Sequence, residues 1–436
     1  AGQVAVPAGA FVVVPPASRA APLPMPEPAP GDDVAANAAL GAQVFAALAE
    51  AGFRPLAFGL DAAQARIAVA EGRFRTLPQV AARVLRATND LLPARVEAIR
   101  LSWWTRGAEV AELIVPRAAL EAAARGTGSP EEAFGAATLL PATGAAVHGP
   151  GTVRNPPPFL SLGLEPRLAL ILGDPSRTLR WQAGVAVGAR LDLGAGFALS
   201  GAVQQALFGN LDDAPRSDSR LPRVRSDYGR YASEGRTAIP VLTAERIWNL
   251  APDVFARATA GLVEPMFGGV SGEVLWRPHD RPWAVGVDVN RVRQRDFDGL
   301  TGFRRYEVTT GHVSLYADLP VWNLYTVLRA GRYLAGDWGG TIEVGRRFDS
   351  GIEVGGFATF TDVPFSRFGE GSFDKGIYVR VPLALFGAET RGVGTALIRP
   401  VQRDGGQRLA VENPLWSVTR DGRADALRRG IEGFAR

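Results

Sequence analysis

Residues 181–193 read Trp-Gln-Ala-Gly-Val-Ala-Val-Gly-Ala-Arg-Leu-Asp-Leu. The odd positions, Trp181, Ala183, Val185, Val187, Ala189, Leu191 and Leu193, are all apolar. The even positions, Gln182, Gly184, Ala186, Gly188, Arg190 and Asp192, are small or polar. Successive side chains of an extended strand point to opposite faces. The stretch therefore predicts one long strand with a wholly apolar side.

The same alternation recurs downstream. Trp283, Val285, Val287 and Val289 alternate with Ala284, Gly286, Asp288 and Asn290. Val313, Leu315, Ala317 and Leu319 alternate with His312, Ser314, Tyr316 and Asp318, and Ile377 to Leu385 does so with Tyr378 to Phe386. Such segments approach the roughly 9–11 residues that a tilted membrane-spanning strand needs. Short turns part them, as at Gly194-Ala195-Gly196, Ala251-Pro252-Asp253 and Asp349-Ser350-Gly351. The pattern predicts a mainly β chain: an antiparallel up-and-down transmembrane β-barrel of about 12–14 strands over residues 159–415. Trp248, Phe255, Trp276, Trp283, Trp322 and Trp338 fall near strand ends, as interfacial aromatic belts would. A soluble sandwich also alternates. The long strands, and the Gly, Ser, Gln, Arg and Asp on the second face, favour a wet lumen instead.

Upstream the period is helical. Leu40, Val44, Phe45, Leu48 and Phe53 predict one helix, with Gly52 placed to end it. Strands are expected at 56–60 and 65–70, a helix at 77–91, strands at 96–104 and 109–115, and a helix at 118–124. Residues 39–125 thus form a small α/β unit between Ala/Pro-rich linkers at 1–38 and 126–158. Ala10 to Val14 is a further candidate strand, and 416–436 reads as a polar tail.

Composition excludes several chemistries. The 51 glycines exceed the average of about 7% and lie largely in strand-like stretches, which disfavours helix there. With no cysteine there is no disulfide, thiolate metal site or thiol nucleophile. Three histidines, His148, His279 and His312, are too scattered for a metal centre, and no cofactor motif is present. Arginine is scattered rather than patched, so nucleic acid is not an expected partner. No apolar run reaches the length of about 18 residues that a transmembrane helix needs. The opening residues lack a basic then apolar leader, so a signal peptide is expected to be absent or removed.

The polar candidates concentrate at turns and on the second strand face. Arg291, Arg293 and Arg295 are spaced by two, which puts all three on one face beside Asp296. They suit either a sugar-binding lumen or a salt-bridge network with Asp296, Asp298 or Glu273. The polar segment 209–236, with Arg223, Arg225 and Asp227, is long enough to fold inward as a gate or to stand as an exposed loop. Glu264, Glu273, Asp288 and His312 are further lumen candidates, and Glu370, Asp374 and Lys375 form a possible ionic cluster at a turn. No catalytic arrangement is evident. An enzymatic alternative would rest on Asp288, Asp296 or Glu343 as acid and base.

Several segments resemble the YjbH/GfcD family of exopolysaccharide and capsule biosynthesis proteins: 221–228 with Tyr231, 264–273, 290–298, 308–312, 331–337, 368–377 and 403–409, in order and well spaced. The α/β unit, including Glu71-Gly-Arg-Phe-Arg, looks like the module that precedes the family's C-terminal barrel. The resemblance implies an outer-membrane barrel of a Gram-negative bacterium with its first domain in the periplasm. It would conduct or guide a polysaccharide, with outer-membrane lipid and other export proteins as partners. A scaffold that conducts nothing and a polymer-modifying enzyme are the alternatives. Family members are often longer and often lipoproteins, so a short relative or a C-terminal part is expected.

Overall fold

The computed structural model describes residues 33–429 apart from 62, 71, 73, 75, 146, 148–151, 175–176, 215–216, 369–371, 387–392 and 399–403. The expected strand at Ala10 to Val14, His148, Glu370 and the last seven residues lie outside the described residues.

The α/β unit comprises α1 (Asp33–Glu50), β1 (Arg54–Leu60), β2 (Gln64–Ala70), α2 (Leu77–Thr88), β3 (Ala98–Thr105), β4 (Ala108–Pro116) and α3 (Arg117–Ala124). α4 (Pro130–Gly135), β5 (Thr138–Leu140) and β6 (Val153–Arg154) extend it. Its six strands run β5-β4-β3-β2-β1-β6. Only β2 and β3 pair in parallel, because α2 carries the chain across between them. Val44, Leu48, Phe58, Ile67, Val80, Val84, Leu101 and Leu113 make its core. Residues 126–158, read as a linker, therefore belong partly to this unit. The local signal was Ser129-Pro130-Glu131-Glu132, a capping box in which Ser129 Oγ accepts from Glu132 N and Glu132 accepts from Ser129 N.

Thirteen strands follow in one antiparallel meander. They are β7 (Phe159–Asp174), β8 (Arg177–Gly194), β9 (Phe197–Gly209), β10 (Thr237–Ala251), β11 (Val254–Leu262), β12 (Phe267–Trp276) and β13 (Trp283–Arg295). Then come β14 (Phe303–Asp318), β15 (Leu324–Arg332), β16 (Trp338–Arg347), β17 (Glu353–Thr361), β18 (Asp374–Pro382) and β19 (Val393–Ile398). Each pairs with its sequence neighbours, and among the described residues β7 and β19 are not paired with each other. Short helices α5 (Tyr228–Glu234) and α6 (Phe365–Phe368) interrupt the connections, and α7 (Leu415–Thr419) and α8 (Ala424–Arg429) follow the last strand.

The polarity of this sheet is inverted. Leu162 is 74% exposed, Val187 57%, Val289 56% and Val313 56%, whereas Arg257 is 3%, Glu273 8%, Asn290 4% and His312 3% exposed. The apolar face looks outward and the polar face is packed inside. A water-soluble sheet does the reverse. Aromatic side chains stand exposed at both strand ends: Phe197, Trp276 and Trp322 at one, Phe208, Trp338 and Phe360 at the other. Phe255 departs from the expected belt. It is fully buried beneath the guanidinium of Arg277.

The α/β unit sits against one end of the sheet, hereafter the near end. Gly107 packs on Gly196 in the β8–β9 turn, and Asn249 of β10 exchanges hydrogen bonds with the backbone of Glu109. Gly196 has φ +81°, and a Cβ there would lie 1.9 Å from the carbonyl oxygen of Ile247, so only glycine fits this turn. Glu109 itself is buried, accepting from the backbone N–H of Thr143 and Gly144, and burial pushes its carboxyl pKa up.

Candidate functional site

Residues 404–429 do not form a free tail. They thread lengthwise along the polar face of the sheet, from its far end to the α/β unit. At the far end Asp404 is wholly buried. Its Oδ1 accepts from the backbone N–H of Val224 (2.9 Å), Arg225 (2.8 Å) and Ser226 (3.0 Å), and its Oδ2 from the Ser226 hydroxyl (2.7 Å). Gly406 N donates to Asp337 and Ala410 N to Glu264. Midway, Arg408 reaches Asp288, Asn413 donates to Glu245, and Leu415 N donates to Glu273. Trp416 stacks on Tyr316 at 4.5 Å. At the near end Arg420 pairs with Glu353 at 2.7 Å and Arg423 with Asp318. Arg277 donates to the carbonyls of Thr419 and Val110, and burial lowers its pKa to about 9. Leu427 then joins the α/β core. The polar tail expected at 416–436 is, over its described part, an interior strap. Its side chains follow no single period, so no regular element was legible there.

Strand-to-strand ion pairs line the strap's path. Arg190 binds Glu245 at 3.1 Å, Arg257 binds Glu273 at 3.0 Å, and Arg329 binds Glu343 at 2.8 Å. Arg347 and Arg380 both bind Glu353 at 3.1 Å. Tyr378 donates to Glu343 at 2.7 Å, and its hydroxyl lies 2.6 Å from that of Tyr325. Buried charge is tolerable only when paired and hydrogen-bonded. Arg190, Glu245, Arg257, Glu353, Arg408 and Asp404 were not singled out from the sequence. Inward strand parity could have found the first four, since it already places Arg190 with Ala186 on the polar face.

The predicted residues divide between these surroundings. Arg225 grips Glu264 with two bonds of 2.6 and 2.9 Å, and Glu264's carbonyl accepts from Arg295. Asp227 is buried at the start of α5, with Arg223 at 3.7 Å and Arg304 at 3.9 Å; burial raises its carboxyl pKa despite them. Segment 209–236 thus folds onto the far end of the interior and is pinned there by Asp404 and Glu264. Glu273, Asp288 and His312 all point inward. His312 Nδ1 lies 3.4 Å from Asp288, and its ring meets Tyr333 edge-on. Asp296 closes the β13–β14 turn, its N–H donating to Gly302 O.

The arginine triplet does not share one face. Arg291 and Arg293 are exposed outside, where Arg291 pairs with Glu307 at 2.7 Å. A register shift between Arg293 and Arg295 turns Arg295 inward. There it is fully buried and donates to the carbonyls of Glu264, Ile239, Gly299 and Leu300. Replacing Arg295 by alanine is expected to cost about 2–4 kcal/mol, since four carbonyls lose their donor. The same change at Arg291 should stay within about 0.5 kcal/mol. Denaturant melts of the two variants check the contrast. Asp374 and Lys375 are neighbours at the start of β18, where Asp374 is buried and the Lys375 ammonium lies 4.2 Å from the centre of the Phe373 ring. Among the described residues no group of acidic or histidine side chains is placed to hold a metal ion.

Fold and polar face together define a mainly β protein whose long antiparallel sheet carries its apolar side outward and packs its ion-paired polar side against a strap. Residues 5–421 match the family model described as exopolysaccharide biosynthesis protein YbjH, and the chain belongs to this YjbH family. An uncharacterized lipoprotein YjbH of Escherichia coli (strain K12) is 38% identical over 268 residues, covering 59% of this chain and 38% of that protein. The chain therefore spans well under half the length of that relative.

Proposed function

We propose that the meander closes into an outer-membrane barrel with the α/β unit in the periplasm, and that it guides an exopolysaccharide across that membrane. The observation that carries the reading is the inverted polarity of the sheet, which suits lipid outside and a hydrated or packed polar interior within. Loop lengths support the orientation. The near-end turns at 195–196 and 252–253 are tight, while the far end carries the long segment 210–236. Outer-membrane barrels show short periplasmic turns and longer external loops. The natural partners are then the polymer, outer-membrane lipid and other export proteins, without nucleic acid and without a cofactor. The interior carboxylates Asp288 and Glu343 are each committed to an arginine, which favours a binding or guiding role over acid–base turnover. A second reading, a scaffold that conducts nothing, is favoured by the strap that occupies the interior.

The test is to delete the chain from a polymer-producing cell and measure where the polymer goes. Retention inside the envelope, reversed by the wild-type chain, is expected. Unchanged release into the medium would overturn the guiding role.

A further inference from the structure

The strap does not fill the whole polar face. Between it and strands β7–β9 lies an open trough of about 460 Å³. Its floor is made of small residues, Gly163, Ala186, Gly188, Gly201 and Ala202. A Cβ on Gly163 would meet nothing within 4 Å, so the space is real at side-chain scale. Arg106, Arg167 and Arg190 line it together with Glu165 and Glu412, Arg167 pairing with Glu165 at 3.0 Å on β7, and Ser161, Ser200 and Asn413 supply neutral polar groups. Arg190 is held rigidly by Asp192, Ser200 and Glu245, which fixes its guanidinium in the trough wall. Among the described residues no aromatic ring lines the trough, so a sugar would be held by hydrogen bonds and charge without stacking. Weak, repeated contacts of that kind suit a polymer that must enter and leave.

We infer that this trough is the path of the glycan, and that it takes a short stretch of an acidic, carboxylate-bearing polysaccharide, recognised by the guanidiniums of Arg106, Arg167 and Arg190. The inference rests on the guiding role proposed above and adds where the polymer lies and what charge it bears.

The chain has no cysteine, so a single Ser161→Cys change gives one reporter thiol on the trough wall. The purified full chain in detergent is labelled with a small maleimide, alone or with tetragalacturonate or maltotetraose. Tetragalacturonate is expected to slow labelling several-fold while maltotetraose leaves it unchanged. Adding Arg167→Gln, at a half-exposed position, should abolish the protection with no change in melting. Absence of protection, or equal protection by the neutral sugar, would overturn the inference. Heat-modifiable migration of the same samples separates the two levels of claim. A folded but unprotected barrel sinks the trough alone, whereas a chain that never folds in detergent or lipid sinks the barrel reading with it.

Discussion

Replacing Asp404 by alanine is expected to destabilise the protein by about 3–5 kcal/mol, because three backbone N–H groups, two of them buried, lose their shared acceptor together. Val224, Arg225 and Ser226 aim successive N–H groups at one carboxylate oxygen, and the Ser226 hydroxyl holds the other. Such a concave run of N–H groups is an anion seat, and here the anion comes from the protein itself. The contact joins residues nearly 180 positions apart, so losing it loosens two things: the start of the strap and the segment 210–236. The expected readouts are a lowered melting point and new protease cleavage within 210–236. Asp404→Asn keeps one acceptor oxygen and should recover part of the loss. A variant Asp404→Ala that melts within about 1 kcal/mol of wild type would show that the seat does not organise the far end.

Period-two alternation was enough to read the long strands, because each has one face with a single chemical character. Val287 and Val289 stand opposite Asn290 for the same reason that Val313 stands opposite His312. The α/β elements were legible for the complementary reason, since Val44, Leu48, Val80 and Val84 recur at helical spacing around one core. Two kinds of feature escaped. The turn of Arg295 to the inside depends on a bulge, and one extra residue reverses parity without leaving any mark in residue type. The strap escaped because its order is borrowed: Asp404, Arg408, Arg420 and Arg423 are each fixed by a partner more than 60 residues away in sequence. Pairwise ionic contacts of that range have no local signature. The same limit applies to the candidate site. Arg225, Glu264, Glu273 and Asp288 were found as polar residues in a barrel-like region, but only the structure distributes them between the far-end seat and the mid-interior pairs.

Removing residues 404–436 is expected to produce the largest functional change, a steady conductance in planar bilayers where the intact chain shows little or none. The strap lies along the interior from Asp337 to Asp318, so its loss clears the length of the sheet's polar side. Asp288, Glu353 and Asp318 lose Arg408, Arg420 and Arg423 at the same time, which should leave the pore preferring cations, most strongly at low salt. Deleting 210–235 alone should act less, since it uncovers the far end but leaves the strap's mid-interior and near-end contacts in place. Because the deletion also strips partners from buried carboxylates, folding must be read independently by heat-modifiable migration. A milder variant guards the same point: Arg420→Gln with Arg423→Gln releases only the near end and should give brief, flickering openings. If the strapless chain folds and inserts yet conducts nothing, the strands close the lumen by themselves. The protein would then act as a scaffold for the exopolysaccharide machinery, and the guiding role would fall.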